Sequence, residues 1–305
     1  MGESLESESE EKVTTQNRSH RSSRPVRRKG VMVATLAAAL LIVSAALAAE
    51  PTVLLGNADP FAVLAGETIT NTGATTITGS VGLHPGTATP GFGPGADSVT
   101  IIDGTLQVDN PTALAAKAAL VTAYDDAAGR AVTATIATEL GGATLVGGVY
   151  DSESTTFEIS GTLTLDGEND PNAVWIFDMD STLLATGSAN VIFIRAAQAC
   201  NVFWRVGASA TIEAGADFSG NILALTSIAL QTGATVQGRA LARNGAVTMD
   251  TNTITRAVCL PAVGPGTGGG STSGTEDAHL FILAGGLFAA AIGVLAMRRR
   301  ASRSN

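Results

Sequence analysis

GNILALTSIALQTGATVQGRALARNGAVTMDTNTIT, residues 220–255, alternates apolar with polar or small residues in runs too short for a helix. Each run breaks at glycine or asparagine, as in Thr232-Gly233-Ala234-Thr235 and Asp250-Thr251-Asn252-Thr253. Alternation is a strand signal, and glycine beside it is a turn signal. The same cadence occurs upstream in Thr68-Ile69-Thr70, Thr76-Ile77-Thr78, Thr162-Leu163-Thr164-Leu165 and Val191-Ile192-Phe193-Ile194.

Three further segments align with these two: Thr72-Gly73-Ala74-Thr75, Gly187-Ser188-Ala189-Asn190 and Ala208-Ser209-Ala210-Thr211. In the C-terminal half the last position falls at 190, 211, 235 and 253, giving steps of 21, 24 and 18. A period near 20 with short strands and one turn signal predicts a β-solenoid. Equivalent residues of neighbouring coils then stack about 4.7–4.9 Å apart. The spacing predicts one flat column of Thr75, Asn190, Thr211, Thr235 and Thr253. Thr72 and Thr232 form a second, partial column, with Ser209 and Thr251 on the same face. Threonine carries a methyl and a hydroxyl on a stiff χ1, so such a face orders water between methyls while hydroxyls anchor it. The plainer reading is that threonine simply suits exposed strands.

One segment differs. Asn110-Pro111 opens a run without glycine or internal proline that ends before Gly129. Asn110 is a plausible N-cap, Pro111 a favoured first helical residue and Gly129 a stop. The run predicts a helix over 111–128, with Leu114, Ala118, Val121 and Ala128 near helical spacing. Because Thr72–Thr75 lies far upstream of the other repeats, the coil order is not sequential. The N-terminal segment is expected to join the sheet of the C-terminal coils, with the helix along another face.

Composition agrees. The chain has 305 residues, is 45% hydrophobic, 15% charged and 4% aromatic, and carries a net charge of −9. It has 37 threonines and only three lysines, Lys12, Lys29 and Lys117. A negative chain nearly without lysine lacks the basic footprint of a nucleic-acid binder. Residues 49–275 hold Lys117 and six arginines against 20 acidic residues, so their balance is 7 − 20 = −13.

Both ends read as targeting segments. Five glutamates and then Arg27-Arg28-Lys29 precede an uncharged run from Val31 to Ala48 that closes on small residues. This predicts a leader and signal peptide over 1–48, with an uncleaved anchor as the alternative. Leu280–Met297 is uncharged and is followed by Arg298-Arg299-Arg300 and Arg303. That pattern predicts a transmembrane helix over 280–297 with a basic cytoplasmic tail over 298–305. A Gly/Ser/Thr linker spans 263–279. The solenoid over 49–262 would then sit at the cell surface, membrane-anchored through its C-terminus. Two cysteines outside the cell, Cys200 and Cys259, favour one disulfide, the alternative being two buried thiols.

Catalytic signals are weak. His84 is the single histidine of 49–262, so no base stands ready for a serine or cysteine nucleophile, and a His/Cys zinc site is excluded on the same ground. Asp166-Gly167-Glu168-Asn169-Asp170, with Asp178 and Asp180, reads as polar turns rather than a Ca²⁺ site. No phosphate loop is spelled by the glycines. Trp175, Phe177, Phe203 and Trp204 read as core, and Arg239 and Arg243 as inter-coil ion pairs. The expectation is therefore a binding protein with no cofactor, no metal and no small-molecule substrate.

Residues 61–82 (FAVLAGETITNTGATTITGSVG), HPGTATPGFGPG from His84, PNAVWIFDM from Pro171, QACNVFWRVGASATI from Gln198 and the block from Gly220 together resemble the microbial ice-binding protein family over nearly all of 53–259. The resemblance implies a mostly β fold: a right-handed, discontinuous β-solenoid of triangular section with one α-helix alongside. It also implies one flat face that adsorbs to ice, often through Thr-Ala/Gly-x-Thr/Asn motifs. Thr72–Thr75 and Thr232–Thr235 match that motif in full. Gly187, Ala208 and Asp250 depart from it, which implies moderate activity. The expected partner is an ice crystal surface. A structural or adhesive solenoid is the alternative, and a polysaccharide-active β-helix enzyme ranks behind both for want of clustered acid–base residues.

Overall fold

The computed structural model describes residues 50–95 and 97–261. The apolar runs at 31–48 and 280–297, the linker at 263–279 and the tail at 298–305 lie outside them. Among the described residues no helix is long and apolar enough to cross a membrane.

The short alternating runs become parallel strands, gathered into a fifteen-stranded and a six-stranded sheet. Each full coil crosses three ladders in turn. One coil runs through Trp175–Met179 on the helix-covered face, Leu183–Ala185 on the six-stranded face and Asn190–Ile194 on the open face. Asp217–Ala224 and Thr235–Ala242 each pass from the open face onto the helix-covered one, bending at a glycine. At that bend Gly220 pairs with Gly238. Gly220 has φ +114, and a Cβ on Gly238 would lie 1.8 Å from the Gly220 carbonyl oxygen. Only glycine lets the two backbones approach that closely.

The stack does not follow chain order, as the sequence predicted. It begins at Ala134–Ile136, climbs coil by coil to Thr253–Thr255, and continues with the N-terminal segment. Phe61–Ala65 pairs with Thr235–Ala242, Ile69–Thr72 with Val247–Asp250, and Thr76–Thr78 with Thr253–Thr255. The strand edge that the last coil would otherwise expose is thereby covered. Asp59 clamps this seam. Its carboxylate and carbonyl accept from Arg239, whose guanidinium is 2% exposed, and its other carboxylate oxygen faces Arg256 at 3.4 Å. Burial, the largest cause, draws the Arg239 pKa down to about 10.

Helix α1 spans Pro111–Ala128, and the Asn110 side chain accepts from the Ala113 amide at 2.9 Å. Gly129 ends it in a right-handed conformation at φ −89 rather than a left-handed one. Its buried side is Ala113, Ala116, Lys117, Leu120, Ala123, Tyr124 and Ala127. The four residues singled out by spacing lie elsewhere, and Leu114 is 51% exposed. The helix packs on an already apolar sheet, and a lining of alanines permits close approach at little apolar contrast, so spacing of the larger residues misleads. Lys117 is drawn under the helix, where its ammonium donates to the carbonyls of Ala242 and Arg243 at 2.5 Å each. Desolvation there lowers its pKa to about 8.

Two apolar layers result. Strands under the helix alternate: Val149, Ile176, Phe203, Leu223 and Leu241 meet α1, while Tyr150, Phe177, Trp204 and Ile222 fill the solenoid interior. Phe177 and Trp204 stack with centroids 4.0 Å apart. All four aromatics expected in the core are buried. Cys200 and Cys259 form a disulfide, closing the C-terminal strap onto the coil body.

Candidate functional site

The open face is an eight-strand ladder, and its register is set by backbone hydrogen bonds rather than by sequence spacing. One outward column runs Thr162, Asn190, Asp217, Thr235, Thr253, Thr76 and Thr100. A second holds Ser219, Gln237, Thr255, Thr78 and Ile102, with Thr144, Thr164 and Ile192 continuing it on the lower coils. Between the columns Leu163, Val191, Phe218, Val236, Ile254 and Ile77 point inward and are buried. Thr235, Val236, Gln237, Thr253 and Thr255 line a shallow trough between the two rows.

This register corrects the single column predicted from sequence. Asn190, Thr235 and Thr253 do share it. Thr75 does not: it is 1% exposed and its hydroxyl accepts from the Asn252 amide, while its neighbour Thr76 pairs with Thr253. Thr211 belongs to the six-stranded face, in a column with Glu158, Leu184, Ala229, Thr248 and Thr70. Ser209 lies on that same face, where its Oγ accepts from the Ser227 amide. Thr72 pairs with Asp250, and Thr232 and Thr251 donate to the Asp250 carboxylate, so these three gather at the turn between the faces. The physical reason is turn length. Asp250 leads to Thr253 through two residues, whereas Thr72 leads to Thr76 through three.

Sequence reading therefore missed Thr76, Thr78, Thr100, Thr255, Gln237 and Asp217. A signal existed for Thr76, Thr78 and Thr255: Thr76-Ile77-Thr78 and Thr253-Ile254-Thr255 are identical tripeptides and stack residue on residue. Asp217 gave none, because Ala214-Gly215-Ala216-Asp217 lacks the threonine that the alignment sought.

Asp217 is the one charged side chain in these two columns, and its Oδ1 accepts from the Thr235 hydroxyl at 2.6 Å. Elsewhere several acidic groups serve local pairing, among them Asp125 with Arg243 and Asp126 with Arg130. Asp166 accepts from Arg195 and from the Glu168 amide, and this holds its pKa below the usual carboxylate range. Among the described residues no group of three or more His, Cys, Asp or Glu is placed to hold a metal ion. His84 bonds Asp109 at 2.9 Å.

Comparison with known proteins places this architecture. The family described as ice-binding-like matches residues 63–255. The chain belongs to that family. The family is one of binding proteins rather than enzymes. An ice-binding protein of Nostoc sp. (strain HG1) is 43% identical over 206 residues, 67% of this chain and 74% of that one. One of Flavobacterium frigoris (strain PS1) is 33% identical over 66% of this chain and 75% of its own length. Among solved structures, an ice-binding protein from an Antarctic biological consortium matches with TM-score 0.65 and 43% identity, covering 69% of this chain and 93% of that one. That of Antarctomyces psychrotrophicus, an Antarctic ascomycete, matches with TM-score 0.64 and 38% identity, over 68% and 99%.

Proposed function

We propose that this protein binds ice through the open face, and that adsorption there restrains ice growth or recrystallisation. The observation that carries the reading is the contiguous block of Thr235, Thr253, Thr76 and Thr100, four coils deep in one column, with Thr255 and Thr78 beside them in the other. The relatives described above, all ice-binding proteins, support it. Stacked coils space the threonines by about 4.8 Å across strands and about 6.6 Å along them. A hydrogen-bonded ladder and a stiff χ1 hold that grid rigid before any contact is made. Each hydroxyl contributes only about 0.5–1.5 kcal/mol net, so retention at ice comes from many registered contacts rather than a few strong ones. Methyl groups between the hydroxyls keep the intervening water in cages that a lattice can continue.

The six-stranded face fits less well, since Glu158 lies in its central column and Glu213 and Asp250 at its border. The coils wind right-handed in this reading, as about 98% of parallel crossovers within one sheet do, and their section is triangular. The apolar run at 280–297 with its arginines supports a surface tether, which would place ice binding at the cell margin.

The test is direct. Purified protein on a growing ice crystal is expected to facet it and to suppress recrystallisation, and Thr235→Tyr is expected to remove both effects while leaving the fold intact. A folded wild type that does neither at high concentration overturns the reading in favour of a structural or adhesive surface solenoid.

A further inference from the structure

We propose that Asp217 is a built-in limiter of ice adsorption, a negative determinant placed inside the open face itself. This rests on the ice-binding reading above. Asp217 occupies the first column between Asn190 and Thr235, in register with both, and its carboxylate is exposed. Every other side chain in the two columns is neutral. A threonine hydroxyl both donates and accepts, so it can stand in for a lattice water. An ionised carboxylate only accepts, at up to about four positions. Waters around it all turn a proton toward it, whereas every water of an ice lattice donates two hydrogen bonds and accepts two. Stripping the charge of its free water in order to seat it against a solid is also costly.

The neighbouring contact extends the effect. The Thr235 hydroxyl donates to Asp217 Oδ1 at 2.6 Å, so its one proton is committed and only its lone pairs face outward. Two adjacent sites in the column thus present acceptors alone. The carboxylate divides the face into two parts. On one side lie Thr253, Thr76 and Thr100, with Thr255 and Thr78 beside them. On the other lie Asn190, Thr162 and Thr164, interrupted by the exposed apolar side chains of Ile192 and Ile194.

The test compares wild type, Asp217→Thr, Asp217→Asn and Thr253→Tyr by thermal hysteresis and recrystallisation inhibition at equal concentration, with circular dichroism to verify folding. Asp217→Thr is expected to raise activity about two- to tenfold, the factor corresponding to one net hydrogen bond. Asp217→Asn, which keeps the shape and an acceptor for Thr235 without the charge, is expected to fall between it and wild type. If wild type is active and Thr253→Tyr is not, yet both Asp217 variants equal or fall below wild type, the limiter is overturned while the face stands; Asp217 would then serve to position Thr235. Inactivity of both wild type and Asp217→Thr overturns the limiter together with the reading beneath it.

Discussion

Asp59 and Arg239 stand 180 residues apart in the chain and meet at the seam where the first coil docks on the last, Arg239 Nη2 donating to Asp59 Oδ1 at 2.7 Å. Arg239 also donates to the Asp59 carbonyl and to Asn221 Oδ1 at 2.8 Å, so one buried guanidinium joins three segments of the solenoid. Asp59→Ala leaves that cation with its backbone and Asn221 partners but no counter-charge. We expect a loss of about 1–3 kcal/mol in urea unfolding, with Asp59→Asn recovering part of it. An unchanged midpoint in Asp59→Ala would show that the seam is held by strand pairing alone.

The corner glycines make a sharper contrast. Gly238→Ala drives a Cβ to 1.8 Å from the Gly220 oxygen, and backbone cannot yield as a flexible side chain can. It should destabilise by at least about 2 kcal/mol. Gly93→Ala, with nothing within 4 Å of its Cβ, should stay within about 0.5 kcal/mol of wild type. Thermal unfolding of the two variants side by side is the check.

Asp178 makes stability depend on pH. Burial is the main reason its pKa rises to about 6; Arg205, at 2.6 Å, opposes the rise, and Asp180 and Asp151 add to it. In the unfolded chain the group titrates near 3.8. Between these values the folded state binds a proton that the unfolded state does not, so this residue adds stability as pH falls from about 6 toward 4. The stability of wild type minus that of Asp178→Asn should therefore increase by the order of 1–2 kcal/mol between pH 7 and pH 4.5. A flat difference would mean that the carboxylate stays ionised throughout.

Thr75 and Thr76 are neighbours with opposite duties. Thr75→Val removes the acceptor of the buried Asn252 amide and should cost about 1–3 kcal/mol of stability with ice activity retained per folded molecule. Thr76→Tyr places a large ring on the open column and should abolish ice activity with the melting temperature little changed. The opposite pattern would restore Thr75 to the column and discard the observed register.

Much of this was legible in the residues. Alternation punctuated by glycine announced parallel coils, Asn110-Pro111 and Gly129 marked both ends of the helix, and the displaced Thr72–Thr75 repeat announced the N-terminal segment's return to the C-terminal coils. Each of these is a local property, set by backbone propensity, capping chemistry or the turn preference of glycine within a few positions. The residues shared by a face were a different matter. Turns of unequal length let Thr76 rather than Thr75 stack on Thr253, sent Thr211 to another face, and put Asp217 where a threonine was expected. Sequence alone determined that this chain makes coils rich in threonine. Tertiary structure decided which threonines stand side by side, because hydrogen bonds between parallel strands equate positions across space, and no count along the chain does so when turn lengths vary.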